Sequence, residues 1–169
     1  MKILPAALIG LSALAFSGAA TAHDAKPKVG ERIGDWTFQC QAIAADENVC
    51  GIIQTIADNN TKRQVLAIAV RPLGKEKRLA MFVTAPLGIF LGSGIGGKID
   101  DGEQFKFNLQ SCTQRGCQAA IAVENDRLTE LKKGERLLIG FKARADANTI
   151  TVPVSLKGFT AGLKAMGSR

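Results

Sequence analysis

"LGSGIGGKIDDG", residues 91–102, is the stretch on which the fold turns. Gly92-x-Gly94-x-x-Gly97 matches the dinucleotide fingerprint, and Gly92-x4-Gly97-Lys98 matches a phosphate loop at all but its last position. Either match would make this an α/β nucleotide-binding chain, because such a loop works where a strand enters it and a helix leaves it. The exit here is Lys98-Ile99-Asp100-Asp101-Gly102, a turn signal leading to a strand pattern. Ile99 stands where a phosphate loop needs Ser or Thr to hold magnesium. The stretch is expected to be an irregular, bent connection in a β fold, with glycine where the backbone angles demand it. No nucleotide is expected.

The sequence on either side keeps the period of strands. Trp36, Phe38 and Cys40 alternate with Thr37 and Gln39, and a second strand runs from Cys50 to Ile56. Val65 to Val70 is apolar on both faces, which predicts a central strand, and Leu79 to Thr84 returns after Lys75-Glu76-Lys77. Phe105, Phe107 and Leu109 alternate with polar residues, as do Leu137, Ile139 and Phe141, and then Ile150, Val152, Val154 and Leu156. Cys117, Ala119, Ile121 and Val123 share one face. Cys112 falls out of phase with its own strand, so a bulge is expected near Gln110-Ser111. Pro153 lacks an N–H and predicts an edge strand. Two helical pieces are expected, one turn at Leu128–Leu131 ended by Gly134, and about two turns carrying Phe159, Leu163 and Met166. Eight or nine short strands result. The expected class is all-β, an immunoglobulin-like antiparallel β-sandwich with a short C-terminal helix and two disulfides. Trp36, Phe38, Ile52, Ile68, Met81, Phe105, Ile121, Phe141 and Val152 are the expected core.

The start of the chain addresses the compartment. Met1-Lys2 precedes an uncharged run, ILPAALIGLSALAF over residues 3–16, and Ala20-x-Ala22 fits a signal-peptidase site. The run is too short to span a membrane, so residues 1–22 are expected to be a signal peptide. A mature chain would begin at His23, with a loose polar lead-in over 23–34 and a single domain over 35–169. Removing 22 residues from 169 leaves 147, enough for one core. No lipid is expected at the cleavage site, because the first cysteine is Cys40, and no later stretch is apolar enough to cross a membrane. A periplasmic, surface or secreted location follows.

Four cysteines in an exported chain predict two disulfides, and spacing favours Cys40 with Cys50 and Cys112 with Cys117. Zinc and redox alternatives lack supporting histidines and a C-x-x-C pair.

The formal charge of +7 becomes +6 without Lys2, a modest excess that suits anionic envelope or host glycans. Nucleic acid is a poorer partner, because the basic residues are spread and aromatics are few. The densest basic group, Lys132, Lys133 and Arg136, could bind a carboxylate or sulfate. No catalytic, cofactor or metal residue is expected. The single histidine, His23, lies at the predicted mature terminus. Asp100, Asp101 and Glu103 stand close in sequence, but a DDG turn is usually well hydrated, whereas acid–base work needs a raised pKa in a cleft.

Four segments together carry a family resemblance: "GDWTFQC" at 34–40, "APLGIFLGSGIGGKIDDG" at 85–102, "CTQRGC" at 112–117 and "VSLKGFTAGLKAM" at 154–166. In this order they resemble the invasion-associated locus B family of exported bacterial proteins, known mainly from alphaproteobacteria, over roughly residues 31–167. The resemblance implies a compact β-sandwich with two disulfides and a terminal helix. It also implies a non-enzymatic binding role in the envelope, with a part in host-cell invasion for some pathogen members. Free-living relatives make a general periplasmic stress or assembly factor the alternative. The cysteines, Trp36 and the glycines match as fold-making positions, and no catalytic motif carries over.

Overall fold

The computed structural model describes residues 27–44 and 47–167. The signal peptide expected over 1–22, His23 and the start of the lead-in lie outside them. Ten strands are present among the described residues: β1 (Arg32–Ile33), β2 (Trp36–Ala44), β3 (Glu47–Ala57), β4 (Gln64–Leu73), β5 (Arg78–Ala85), β6 (Ile95–Ile99), β7 (Gln104–Thr113), β8 (Gly116–Ala122), β9 (Arg136–Phe141) and β10 (Ile150–Ser155). Helix α1 (Asn125–Lys133) follows β8, and α2 (Phe159–Gly167) follows β10.

The hydrogen-bonded order is β1-β2-β3-β4-β5-β8-β7-β6-β9-β10, with antiparallel neighbours throughout. β7 belongs to two layers. Its first residues pair with β6, Phe107 opposite Ile95, and from Asn108 onward it pairs with β8. One layer is β1–β5 with β8, the other β6, β9 and β10. Their inner faces share one core, in which Trp36, Phe38, Ile68 and Met81 meet Ile95, Leu137, Ile139 and Val154. β4 lies between β3 and β5 as its two apolar faces predict, and β10, which carries Pro153, is an edge.

Four expectations change. Glycines 96 and 97 lie inside strand β6, paired on both sides, and of the glycines in this stretch only Gly94 takes a positive φ, +68°. The strand escapes sequence reading because glycine gives no hydrophobic period. It is needed because a Cβ at Gly97 would stand 2.5 Å from the Phe105 ring. The lead-in is also partly structured, since Arg32–Ile33 folds back on β2 and Phe38 N donates to Glu31 O at 2.8 Å. Finally, Phe105 and Ile121 are only half-buried; Phe107 and Ala119 are buried instead. Helix α1 runs to nine residues rather than one turn, anchored by the buried Leu131.

The disulfides join facing residues of neighbouring strands. Cys40 is bonded to Cys50, and Cys112 to Cys117, each with 3.9 Å between the Cα atoms. The ladder shifts register between Leu109 and Ser111, which brings Cys112 opposite Cys117. Short loops restrain the unfolded chain modestly. Replacing both cysteines of either pair with serine should lower stability by about 2–3 kcal/mol. The check is thermal unfolding of both double variants under oxidising conditions, with unchanged midpoints as the contrary result.

A buried polar knot joins the layers. Leu156 N donates to Glu135 O at 2.9 Å, which leaves the backbone groups of Ser155 directed away from β9. Gln54, 9 % exposed, takes both: its Nε2 donates to Ser155 O at 3.0 Å, and its Oε1 accepts from Ser155 N at 3.0 Å. Trp36 Nε1 donates to the same carbonyl at 3.0 Å, and the indole meets the Phe159 ring edge-on at 5.4 Å. Beside this knot the turn at Gly34 abuts the link into α2, where Asp35 N donates to Lys157 O at 3.0 Å.

Candidate functional site

The residues singled out from sequence do not form a catalytic cleft. Asp100 sits at a positive φ of 45°, and its carboxylate accepts from Glu135 N at 3.0 Å and from Arg136 N at 2.9 Å. That carboxylate fixes the start of β9. Asp101 and Glu103 are exposed, and Asp101 stands 3.8 Å from Lys98 Nζ. Among the described residues, no group of three or more His, Cys, Asp or Glu is placed to hold a metal. Asp58, in the β3–β4 turn, has its carboxyl held below the ordinary range by the Thr61 N–H and hydroxyl. It lines neither groove described below.

Lys132, Lys133 and Arg136 are all exposed at the α1–β9 junction, and Lys132 also contributes to a groove lining. The Asp100 carboxylate sits directly against the Arg136 backbone.

Gly96, Gly97 and Gly140 line a furrow of ≈ 480 Å³ along β6 and β9, beside Phe105 and Lys142. The chain leaves this glycine stretch as strand β6 and turns into β7. The helix N-terminus that a dinucleotide site requires is replaced by a hairpin. Phe105 is backed by the Arg127 guanidinium, 3.8 Å from the ring centre.

The larger concavity has a volume of ≈ 840 Å³. One wall is the β2–β3 hairpin, through Ile43 and Asn48 to Cys50; the next is the β4–β5 turn, through Arg71 to Lys77. The far side is formed by Leu128 and Lys132 of α1 with Leu163 and Met166 of α2. Local sequence explains each wall. The Cys40–Cys50 bond ties the two strands of the hairpin. Gly74 at φ +70° and Lys77 at φ +51° close the tight turn, with Lys77 N donating to Gly74 O at 3.1 Å. Gly162, where a Cβ would lie 2.9 Å from Ile52, lets α2 settle on β3. Thr160 Oγ1 donates to Lys132 O at 3.4 Å and joins the two helices.

Sequence reasoning missed this groove. The stripe Phe159, Leu163 and Met166 packs on the sheet body, as two helical turns that cannot stand alone require. Phe159 is fully buried, while Leu163 and Met166 are partly buried and also line the groove. The available signal was Ile43 and Leu73, large apolar residues beside polar hairpin tips.

With this geometry in place, comparison with known proteins is informative. The family model for the invasion associated locus B (IalB) protein matches residues 36–167. Two proteins of Brucella abortus, from strain 2308 and from biovar 1 strain 9-941, are called invasion protein B homologs. Each is 29 % identical over 160 residues, covering 93 % of this chain and 87 % of its own length. Among solved structures, invasion associated protein B of Bartonella henselae superposes with a TM-score of 0.72 at 23 % identity. The match covers 82 % of this chain and 94 % of that one, and it shows a shared fold.

Proposed function

Because the chain belongs to the invasion associated locus B family, we propose that it is an exported, non-enzymatic binding protein of the bacterial cell envelope with a part in host-cell invasion. The observation that carries this reading is the open groove between the hairpins and the helices, whose described lining is apolar and cationic. Such a surface suits holding a ligand. Export is supported by the two disulfides, which persist in oxidising compartments, and by the signal-like first 22 residues. No helix among the described residues is long and apolar enough to cross a membrane. The Brucella relatives carry invasion in their names.

The test is N-terminal sequencing of the protein from its own cells, combined with protease treatment of intact and of outer-membrane-permeabilised cells. The expected result is a chain beginning at His23 in the envelope fraction, digested on intact cells. Protection until the outer membrane is opened would favour the alternative, a periplasmic upkeep factor with no direct host contact. A chain that keeps residues 1–22 and stays in the cytosol would overturn the reading.

A further inference from the structure

The floor of the larger groove is hydrocarbon. Ile43, Val49, Leu73, Leu79, Leu163 and Met166 line it, and Ile43 and Leu73 are 53 % and 51 % exposed. Among its described lining residues the charged ones are all cationic, Arg71, Lys75, Lys77 and Lys132, and none is a carboxylate. Glu76, inside the same turn as Lys75 and Lys77, is taken by Arg78 at 2.7 Å. Arg71 is steadied by the Phe82 ring, 4.4 Å from its guanidinium carbon. Asn48 is the sole neutral hydrogen-bonding side chain in the described lining, which leaves the hydroxyls of a sugar with little to bond.

A hydrocarbon floor inside a cationic rim complements a molecule that is apolar along its length and negative at one end. We propose that this groove binds one anionic lipid, its acyl chain on the floor and its headgroup charge among Arg71, Lys75, Lys77 and Lys132. This deepens the envelope-binding reading and rests on it. Each methylene withdrawn from water adds a fixed increment of affinity, while the rim adds a contribution that weakens with salt.

The experiment is calorimetric titration of the chain from His23 with dodecyl phosphate, kept below the concentration at which it forms micelles. One saturating site per chain is expected. Decyl phosphate should bind about tenfold more weakly, from two methylenes lost. Zwitterionic dodecylphosphocholine should also bind on the order of tenfold more weakly, and this gap should close in high salt. Leu73→Gln should weaken dodecyl phosphate about fivefold or more, and a Lys75→Gln/Lys77→Gln variant should flatten the salt dependence. Both changes fall at exposed positions, and thermal unfolding verifies that the variants fold. Equal affinity for the zwitterionic probe, no saturation, or indifference to Leu73→Gln would overturn the proposal. So would an acidic oligosaccharide that binds and displaces dodecyl phosphate with undiminished strength in Leu73→Gln. Failure to bind by a protein that begins at His23 in the envelope removes the lipid and leaves the envelope reading intact. Cytosolic retention removes that reading whatever the titration gives.

Discussion

Replacing Gly158 with alanine should destabilise the protein by on the order of 4 kcal/mol or more, enough to leave much of it unfolded at physiological temperature. Two costs combine. Gly158 has φ +89°, and the left-handed region costs an L-residue about 1–2 kcal/mol. The new Cβ would also overlap the carbonyl oxygen of Ile33. Relief requires the β1–β2 turn to move away, yet Gly34 faces the same constraint from the other side: its own Cβ would stand 2.5 Å from Lys157 O. The two backbones touch because both positions lack side chains. Opening them would break the bond from Asp35 N to Lys157 O and tilt α2 off the sheet. Gly167→Ala is the control, since its Cβ would meet nothing within 4 Å. Soluble yield and urea midpoints should separate the two variants, and a Gly158→Ala protein that unfolds like its parent would contradict this account.

Trp36→Ala should cost about 3–5 kcal/mol. The indole is fully buried between the layers, packs edge-on against Phe159 and donates to Ser155 O. Removing it opens a cavity at the junction of β2, β10 and α2. Trp36→Phe should be far milder, about 1–2 kcal/mol. It keeps an aromatic ring beside Phe159, and Ser155 O retains its bond from Gln54 Nε2. The ordering of the three proteins in denaturant unfolding is the measurement. If phenylalanine were as damaging as alanine, the hydrogen bond rather than the ring volume would dominate this position.

Much of the architecture was legible because strands declare themselves through alternation. Trp36, Phe38, Ile52, Ile68, Met81, Phe141 and Val152 are all buried as expected. The out-of-phase Cys112 foretold the register shift before Ser111. What stayed hidden had no period to read. Two residues cannot alternate visibly, so β1 was lost in a polar lead-in. β6 is Ile-Gly-Gly-Lys-Ile, in which glycine erases one face of the pattern. The groove was harder still. Its walls come from residues 43–50, 71–79, 128–132 and 163–167, far apart in the chain, and each segment alone resembles an ordinary surface turn or helix end. The contacts of α2 with β2, β3 and α1, and of β3 with β4, assemble them.

The bond from Trp36 to Ser155 spans 119 positions of the chain, and the last helix covers some of the first strands. Strand β2 therefore cannot be sealed until β10 and α2 have been synthesised. Until β10 and α2 are in place, the indole of Trp36 lacks both its carbonyl partner and the ring of Phe159, so the core closes from the C-terminal side.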